Sequence, residues 1–456
     1  MSMHLTTDPT GAIPIVAVTK TSLPEWIERH LDHGAWLSAT GFNAEPGSFA
    51  FLPDSGGKPQ RVLASPQEGE PIWRFAGLPL SLPPGTYRLE DPLENQAATE
   101  AATGWALGSY TYATYKTPKR EPATLALPEN ADRDETERLA QGVYFARDLI
   151  NTPAEDMGPE ALIGAIEAMA KAAGAQVRIL HGDALLKENY PCIHTVGRAS
   201  TRPPMLIDFH WGDADAPKVT LVGKGVCFDT GGLNIKPRDG MLEMKKDMGG
   251  AAVIAGLAKT LMAAQAPIRL RVMIPAVDNA IAGNAFRPRD IIRTRAGKTV
   301  EISNTDAEGR LILCDTLAEA DAEAPELLID CATLTGAAKI ALGPELQALY
   351  SDNDEAAARL QATGAAVGDP LWRMPIWKPY RRMIESKLAE LDNFQSTPLA
   401  GSIAAALFLA EFVAHAKTWA HLDIMAANLT PRPGRPEGGE ATGMRALYAF
   451  IQERFG

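Results

Sequence analysis

The chain has 456 residues, of which 46% are hydrophobic and 22% charged, and its formal net charge is −12. This composition is that of an ordinary globular protein, so it excludes a disordered or collagen-like chain. The acidic balance disfavours a protein built mainly to hold nucleic acid or anionic lipid. At about 150 residues per domain, the length predicts two or three domains.

Cysteine usage and the N-terminal segment indicate the compartment. Four well-separated cysteines form no CxxC pair, which suits a reducing environment: Cys192, Cys227, Cys314 and Cys331. Residues 1–15 lack the basic and apolar regions of a secretory signal. No stretch reaches about 18 uninterrupted apolar residues, the length needed to span a membrane. We therefore expect a cytoplasmic protein with no membrane segment.

The first 130 residues are predicted to form a small domain of mixed α/β structure. Short apolar runs such as Ile13–Val18 and Ser48–Leu52 alternate with breaks rich in proline and glycine, and a helix is expected near Leu23–Leu31. Apolar residues spaced three or four apart then predict a helix over Ala131–Ile150, with Asn130 as its N-cap. We assign residues 131–153 to a linker helix.

From residue 154 to residue 456 the pattern alternates between strand and helix. Near-continuous apolar runs predict strands at Gln176–Leu180, Met205–Phe209, Val219–Val226, Ile268–Pro275, Glu326–Leu334 and Thr418–Ile424. Helical patterns lie at Pro159–Ala173, Gly249–Ala264, Glu308–Ala322 and Gly401–His415. This alternation predicts a larger C-terminal α/β domain with a mostly parallel central sheet covered by helices.

Two glycine-rich segments carry an unusual density of charge. In the first, an apolar strand ends at Lys224, and Asp229, Lys236 and Asp247 follow. In the second, 302–310, a strand leads to Asp306 and Glu308 in a turn, and Arg310 begins the next helix. Because glycines permit tight turns, both segments are able to point several charged side chains at one spot.

The charges in these segments favour a metal site. Four carboxylates cannot share a dry pocket without compensating positive charge, and the two lysines and one arginine are one charge short. These three basic side chains would also fill the space that a substrate needs. Carboxylate oxygens suit Mg²⁺, Mn²⁺ and Zn²⁺, and paired cations serve hydrolysis well. The eight histidines form no HExxH motif, so the predicted site is carboxylate-rich.

The same residues resemble the leucine aminopeptidase family of two-metal cytosolic exopeptidases. The spacings from Lys224 match the family pattern, and 304–311, Asn-Thr-Asp-Ala-Glu-Gly-Arg-Leu, is its most specific string. The likeness continues through Asn151–Pro153, Ala332–Gly336 and Trp419–Asp423. Any one charged residue would more often be a surface ion pair, but seven at these spacings make that reading improbable.

The resemblance implies a set of metal ligands and catalytic groups. One divalent ion, Mn²⁺ or Zn²⁺, would be held by Asp229, Asp306 and Glu308. The second would be held by Lys224, Asp229, Asp247 and Glu308, with Lys224 deprotonated by the nearby dications. Lys236 would polarise the peptide carbonyl, while Arg310 would hold bicarbonate that shuttles a proton to the leaving amine. A water bridging the metals would be the nucleophile.

Substrate and assembly follow from the same resemblance. Peptides with a free N-terminus would be the substrates, and the family forms homo-hexamers. Five residues would line the pocket for the first side chain: Met244, Asn304, Thr333, Leu334 and Gly336. An apolar, leucine-like first residue is expected there. Core packing for Met244 and a simple turn role for Asn304 stay open as alternatives.

Two other functions also stay open. A two-metal phosphoesterase uses similar carboxylate clusters, although the family string weighs against it. Some bacterial members of the family also bind DNA, and the net charge of −12 does not support that role here.

Overall fold

The structure is a computed structural model that describes residues 3–456. The chain divides into two compact units. The first runs to Ala140 and includes Thr430–Glu437, and the second comprises Gln141–Leu429 and Gly438–Gly456. The domain limits expected at residues 130 and 153 stay a prediction.

The first unit is built on a six-stranded sheet with helices. Its strands are β1 (Leu5–Thr6), β2 (Ile13–Ala17), β3 (Phe49–Pro53), β4 (Pro59–Ala64), β5 (Thr86–Leu89) and β6 (Thr124–Ala126), in the order β1-β6-β5-β2-β4-β3. Its helices are α1 (Leu23–Arg29), α2 (Leu31–Thr40), α3 (Leu78–Ser81) and α4 (Asn95–Gly108). Because side chains alternate along a strand, Val62 packs with Trp105 on one face, and Leu63 packs with Trp26 on the other.

The expected helix after this sheet is present as α5 (Arg133–Asn151). Its expected N-cap was wrong. The Asp132 carboxylate accepts a hydrogen bond from the Glu135 amide at 2.9 Å, whereas the Asn130 side chain donates to the Leu93 carbonyl. Both residue types cap helices well, but only Asp132 directly precedes the first helical residue.

The second unit surrounds a nine-stranded sheet. The strands of this unit are β7 (Gln176–His181), β8 (Met205–Trp211), β9 (Lys218–Gly223), β10 (Gly225–Asp229), β11 (Arg269–Asn279), β12 (Ile291–Arg293), β13 (Thr299–Glu301), β14 (Leu327–Ala332), β15 (Gln347–Tyr350), β16 (Leu371–Arg373), β17 (Leu391–Asp392), β18 (Trp419–Asp423), β19 (Ala427–Asn428) and β20 (Gly438–Gly439). The large sheet contains all of them except β12, β13 and β17, which form a three-stranded sheet, and β19 and β20, which form a two-stranded one. Its remaining helices are α6 (Pro159–Ala172), α7 (Ala184–Lys187), α8 (Pro191–Gly197), α9 (Arg238–Met241), α10 (Gly249–Ala263), α11 (Gly309–Asp321), α12 (Gly336–Leu342), α13 (Asp354–Ala366), α14 (Gly401–Ala410) and α15 (Met444–Phe455).

The central strands of the large sheet are parallel. β18, β14, β9 and β11 run side by side in one direction, and antiparallel β15 and β8 flank them. Every residue of β14 and β18 is buried, as expected for strands covered on both faces. The predicted fold class, a small mixed α/β domain followed by a larger α/β domain with a mostly parallel sheet, is confirmed.

Two predicted elements differ in extent. The run Val219–Val226 was expected to be one strand, but the structure breaks it at Lys224 into β9 and β10. The helix expected over Gly401–His415 ends at Ala410. Within residues 3–456, no helix combines the length and hydrophobicity needed to cross a membrane.

Candidate metal centre and active site

One cavity of about 440 Å³ in the second unit brings the predicted site residues together. It lies at the carboxyl ends of the parallel strands, where open α/β sheets place their ligands. All twelve residues expected from the sequence line it: Lys224, Asp229, Lys236, Met244, Asp247, Asn304, Asp306, Glu308, Arg310, Thr333, Leu334 and Gly336. The two charged segments therefore converge on a single site.

The break between β9 and β10 positions Lys224. At Gly223 an added Cβ would lie 2.6 Å from the Cα of Ala251, so helix α10 packs directly against the strand. The Lys224 amide still bonds to the Cys331 carbonyl, while its own carbonyl accepts from the Ala251 amide. These bonds fix the backbone, and the buried Lys224 side chain lines the cavity.

Asp229 ends β10 and is held by two donors on the same oxygen. Its Oδ1 accepts from the Gly231 amide and from Asn279 Nδ2, each at 2.8 Å. Gly231 has a φ of +86°, a conformation that glycine adopts without strain. The Oδ2 of Asp229 stays directed toward Lys236, with a separation of 2.8 Å.

The turn that carries Asp306 and Glu308 is fixed by side chains from other strands. Asn393, just after β17, accepts from the Asn304 amide and donates to the Asn304 and Ala307 carbonyls. Asn304 itself accepts from the Asp306 amide at 2.9 Å, so it serves as a turn residue while lining the cavity.

Two lysines bridge four carboxylates in the buried cluster. Lys224 Nζ lies 2.7 Å from Asp247 and 3.1 Å from Glu308. Lys236 Nζ lies 2.8 Å from Asp229 and 2.6 Å from Asp306. Of these six side chains, Asp306 is 31% exposed and Lys236 15%, and the other four are almost fully buried.

The ionisation of the cluster reflects burial and crowding. Burial, followed by the charge of Asp229, raises the pKa of Glu308 to about 8 and that of Asp306 to about 6. Burial lowers the pKa of Lys224, but the carboxylates of Asp247, Glu308 and Asp229 outweigh it and raise this pKa overall. Lys224 is therefore an ammonium counter-ion of Asp247 and Glu308, and the four carboxylates of the cluster outnumber its two lysines.

The donor set fits divalent cations. Asp229, Asp306 and Glu308 each offer an oxygen within 4.8 Å of the others. The buried Glu308 Oε2 accepts no hydrogen bond from any residue in 3–456. An unsatisfied buried carboxylate oxygen is costly unless a cation or a water binds it. Oxygen donors of this kind suit Mn²⁺ and Mg²⁺, and carboxylates also ligate Zn²⁺.

Arg310 places a buried guanidinium beside the cluster. Its guanidinium lies 5.9 Å from the ring centre of Phe394 and 6.0 Å from that of Phe408. Burial lowers the pKa of Arg310 to about 10. Its Nε and Nη1 are buried and find no acceptor among the described residues. A cationic fork with free N–H groups is suited to a small anion.

The remaining pocket residues lie around the carboxylate cluster. Thr333 is buried and donates to Asp247 Oδ1 at 2.8 Å, and it therefore orients a predicted metal ligand. Met244 and Leu334 are half-buried and present apolar surface to the cavity, while Gly336 is exposed at its edge. Met244 is thus not a core residue, which removes its alternative interpretation.

Sequence reasoning missed several residues that support the site. Asn279 and Asn393 each hold a turn that carries carboxylates. Asn279 ends β11, which pairs in parallel with β10. Because Asn279 and Asp229 both follow predicted parallel strands, their common place at the carboxyl end of the sheet could have indicated its role. Asn393 had no such signal, because β17 is only two residues long.

The fold and the site together define an α/β protein with a carboxylate-rich centre suited to divalent cations. The comparisons narrow this class. The family model of the cytosol aminopeptidase catalytic domain matches residues 144–448, and that of the M17 aminopeptidase N-terminal domain matches residues 13–128. The chain belongs to this M17 cytosol aminopeptidase family, which confirms the resemblance, and it is a hydrolase of the aminopeptidase class.

Named relatives and solved structures agree with this assignment. Peptidase B of Enterobacter sp. (strain 638) is 43% identical over 348 residues, covering 74% of this chain and 81% of the relative. A probable cytosol aminopeptidase of Roseiflexus castenholzii is 37% identical, covering 80% of this chain and 78% of the relative. The crystal structure of a cytosol aminopeptidase from Coxiella burnetii matches with a TM-score of 0.96 and 46% identity, covering 100% of both chains. The bottromycin maturation enzyme BotP in complex with Mn matches with a TM-score of 0.86 and 32% identity, covering 97% of this chain and 99% of that one.

Proposed function

We propose that this enzyme removes single residues from the free N-terminus of peptides, using two divalent ions, Mn²⁺ or Zn²⁺. The observation that carries the proposal is the group of Asp229, Asp306 and Glu308, whose oxygens converge while Glu308 Oε2 accepts no hydrogen bond from residues 3–456. A related structure, that of BotP, was obtained in complex with Mn, which supports manganese as the ion that these carboxylates bind.

The proposed ligands divide between two ions. Asp229, Asp306 and Glu308 would hold one, and Lys224, Asp229, Asp247 and Glu308 would hold the other. Lys224 now pairs as an ammonium with Asp247 and Glu308. It would lose its Nζ proton when dications replace it as the counter-ion of these carboxylates.

Bound divalent ions supply an acidified water and polarise the scissile carbonyl. The chain's own residues would add two functions. Lys236, partly exposed to the cavity, would donate from Nζ to the carbonyl oxygen as negative charge develops there. Arg310 would hold bicarbonate through Nε and Nη1, which find no acceptor within residues 3–456, and the anion would supply a group able to accept and return a proton.

The first residue of the substrate would bind beside Met244, Thr333, Leu334 and Gly336. Met244 and Leu334 give this part of the cavity apolar walls, and Met425 lines it as well. A leucine-like side chain would therefore bury its methyl groups there. Asn304 would act indirectly, by shaping the turn that carries Asp306.

Assembly and location are proposed from the family alone. We propose a homo-hexamer, as the family resemblance implies. We also propose a cytoplasmic location, since relatives carry the name cytosol aminopeptidase. DNA binding gains no support from the net charge of −12.

The central test is hydrolysis of leucine anilide with Mn²⁺ or Zn²⁺, compared with a phosphoester. We expect release of leucine, loss of activity with a chelator, and loss of at least about a hundredfold in kcat/KM for Asp306→Ala. Asp239→Ala, an exposed acid outside the cavity, is the matched control and should keep the wild-type rate. Undiminished activity in Asp306→Ala, or phosphoester cleavage alone, would refute the proposal.

A further inference from the structure

A short loop beside the carboxylate cluster bonds to two of the proposed metal ligands. Thr333, Leu334 and Thr335, the 333–335 loop, connect β14 to α12. The Thr333 hydroxyl donates to Asp247 Oδ1 at 2.8 Å. The Thr333 carbonyl accepts a hydrogen bond from Lys224 Nζ at 2.9 Å. In the proposed ligand sets, these two residues are the ones that belong to the second ion alone.

Asp423, the last residue of β18, holds the other side of this loop. β18 pairs in parallel with β14, and Asp423 lies opposite Ala332, the residue just before the loop. Asp423 Oδ1 accepts from the amides of Leu334 and Thr335 at 3.0 and 3.1 Å. Asp423 Oδ2 accepts from the Thr335 hydroxyl at 2.6 Å. Three hydrogen bonds therefore join one side chain to two consecutive residues of the loop.

Two hydroxyls fix the Asp423 side chain in turn. Ser402, in the first turn of α14, donates to Asp423 Oδ2 at 3.3 Å, and Tyr350 donates to the Ser402 hydroxyl at 2.6 Å. All three side chains are buried. Because hydrogen bonds to a carboxylate are stronger than those between neutral groups, this chain of contacts anchors the 333–335 loop to the sheet and to α14.

Asp423 lines the cavity, but its hydrogen bonds do not suit a metal ligand. Each of its oxygens accepts two hydrogen bonds, and a carboxylate has only about four lone-pair sites. The oxygens that converge at the centre, within residues 3–456, are those of Asp229, Asp306 and Glu308. A buried carboxylate that bonds to protein donors beside metal ligands is typical of a group that orients them.

We propose that Asp423 is a positioning residue for the second ion, acting through the 333–335 loop on Lys224 and Asp247. This inference rests on the proposed two-ion aminopeptidase function and assigns to it the group that prepares one of the two ion sites. A Lys224 amine that keeps one N–H on the Thr333 carbonyl has its lone pair directed away from that carbonyl. The Thr333 hydroxyl fixes the rotation of the Asp247 carboxylate. Without Asp423 both ligands would lose this orientation.

Titration calorimetry with Mn²⁺ on the full-length protein tests the inference without relying on turnover. We expect the wild type to bind two Mn²⁺ ions per chain. Asp423→Ala removes every bond between this side chain and the loop, so it should weaken the binding of one ion by about ten- to a hundredfold. The affinity for the other ion, held by Asp229, Asp306 and Glu308, should stay at the wild-type value, and this ion therefore reports that the fold is intact.

The Asp306→Ala background identifies the affected ion. Asp306 is the proposed ligand that belongs to the first ion alone, so Asp306→Ala leaves the second ion with its full ligand set. Adding Asp423→Ala in this background should weaken the remaining Mn²⁺ site by about ten- to a hundredfold as well. An affinity that the added substitution leaves unchanged would overturn the inference.

Asp369→Ala is the matched control. Asp369 is also a buried aspartate that accepts from backbone amides, those of Gly443 and Arg445 at 2.9 Å each, but it lies outside the cavity. This variant should bind both ions as the wild type does. Asp423→Asn keeps the shape and one acceptor oxygen of the native side chain, so it should restore part of the affinity lost in Asp423→Ala.

The outcomes separate this inference from the proposed function on which it rests. Wild-type affinity for both ions in Asp423→Ala would overturn the inference, and so would equal losses for the two ions or an equal loss in Asp369→Ala. A wild type that binds no Mn²⁺, or that releases no N-terminal residue from leucine anilide, would instead refute the proposed two-ion aminopeptidase function itself.

Discussion

The position of the Lys224 side chain depends on the absence of a side chain at Gly309. A Cβ added at Gly309 would lie 2.8 Å from both Cδ and Nζ of Lys224, closer than real contacts allow. Helix α11 begins at this glycine, so its first turn packs directly against the lysine. The glycine in the string Glu-Gly-Arg is thus explained by the space that the Lys224 side chain needs rather than by backbone conformation.

Asn279 controls the other side of the centre. Its Nδ2 bonds to Asp229 Oδ1 at 2.8 Å and to the Thr305 carbonyl at 3.0 Å, which links the end of β10 to the carboxylate turn. We expect Asn279→Ala to weaken Mn²⁺ binding by about ten- to a hundredfold, because the ligand loses the group that orients it. Titration calorimetry with Mn²⁺ measures this effect without relying on turnover.

Asn284→Ala provides the comparison for this prediction. Asn284 is an exposed asparagine that also bonds to a backbone carbonyl, that of Arg198, but it lies outside the cavity. Its replacement should leave the Mn²⁺ affinity unchanged. An Asn279→Ala variant that binds Mn²⁺ within twofold of the wild type would contradict the positioning role.

At the scale of elements, the sequence predicted strands and helices well but not where a strand bends. The run Val219–Val226 is apolar throughout, and hydropathy cannot show that Lys224 interrupts it. The bend arises because Gly223 lets α10 approach and because β10 pairs with β11 rather than with β14. Such contacts join residues distant in sequence, and no local pattern encodes them.

The residues of the candidate site also divide into those that the sequence could predict and those that it could not. The charged residues were predictable, since their spacing in two glycine-rich segments pointed to one location. The supporting Asn393 was not, because it acts through hydrogen bonds to a turn far away in the sequence.

The start of α5 gives a test at the element scale. Asp132 accepts from the Glu135 amide, so Asp132→Ala should destabilise the first helical turn by about 1 kcal/mol. Hydrogen exchange measured by mass spectrometry should then show about fivefold faster exchange in peptides covering 132–138. Glu129→Ala, at an exposed position before the helix, should leave that exchange rate as it is. Equal rates in Asp132→Ala and wild type would show that the cap contributes nothing.

At the scale of the whole molecule, folding brings together carboxylates that repel one another. The chain's net charge is −12, and the cluster adds four carboxylates against two lysines in one buried place. The raised pKa of Glu308, about 8, shows that its ionised form is disfavoured there by burial and by Asp229. Folding therefore assembles a group of carboxylates that divalent cations would stabilise further.

Metal binding should consequently stabilise the folded protein as a whole. A ligand that binds only the folded state at about a hundred times its Kd adds about 2.7 kcal/mol, which for a unit of this size is a rise of roughly 4 °C in Tm. We expect Mn²⁺ to produce this rise in a thermal-shift measurement and excess chelator to reverse it. Glu308→Gln should abolish most of the rise, because it removes the charge of the carboxylate whose Oε2 accepts no hydrogen bond in the described part of the chain. Asp239→Asn, which changes an exposed acid outside the cavity, should keep it. If Mn²⁺ shifts Glu308→Gln as much as the wild type, the metal binds elsewhere and this carboxylate cluster is not its site.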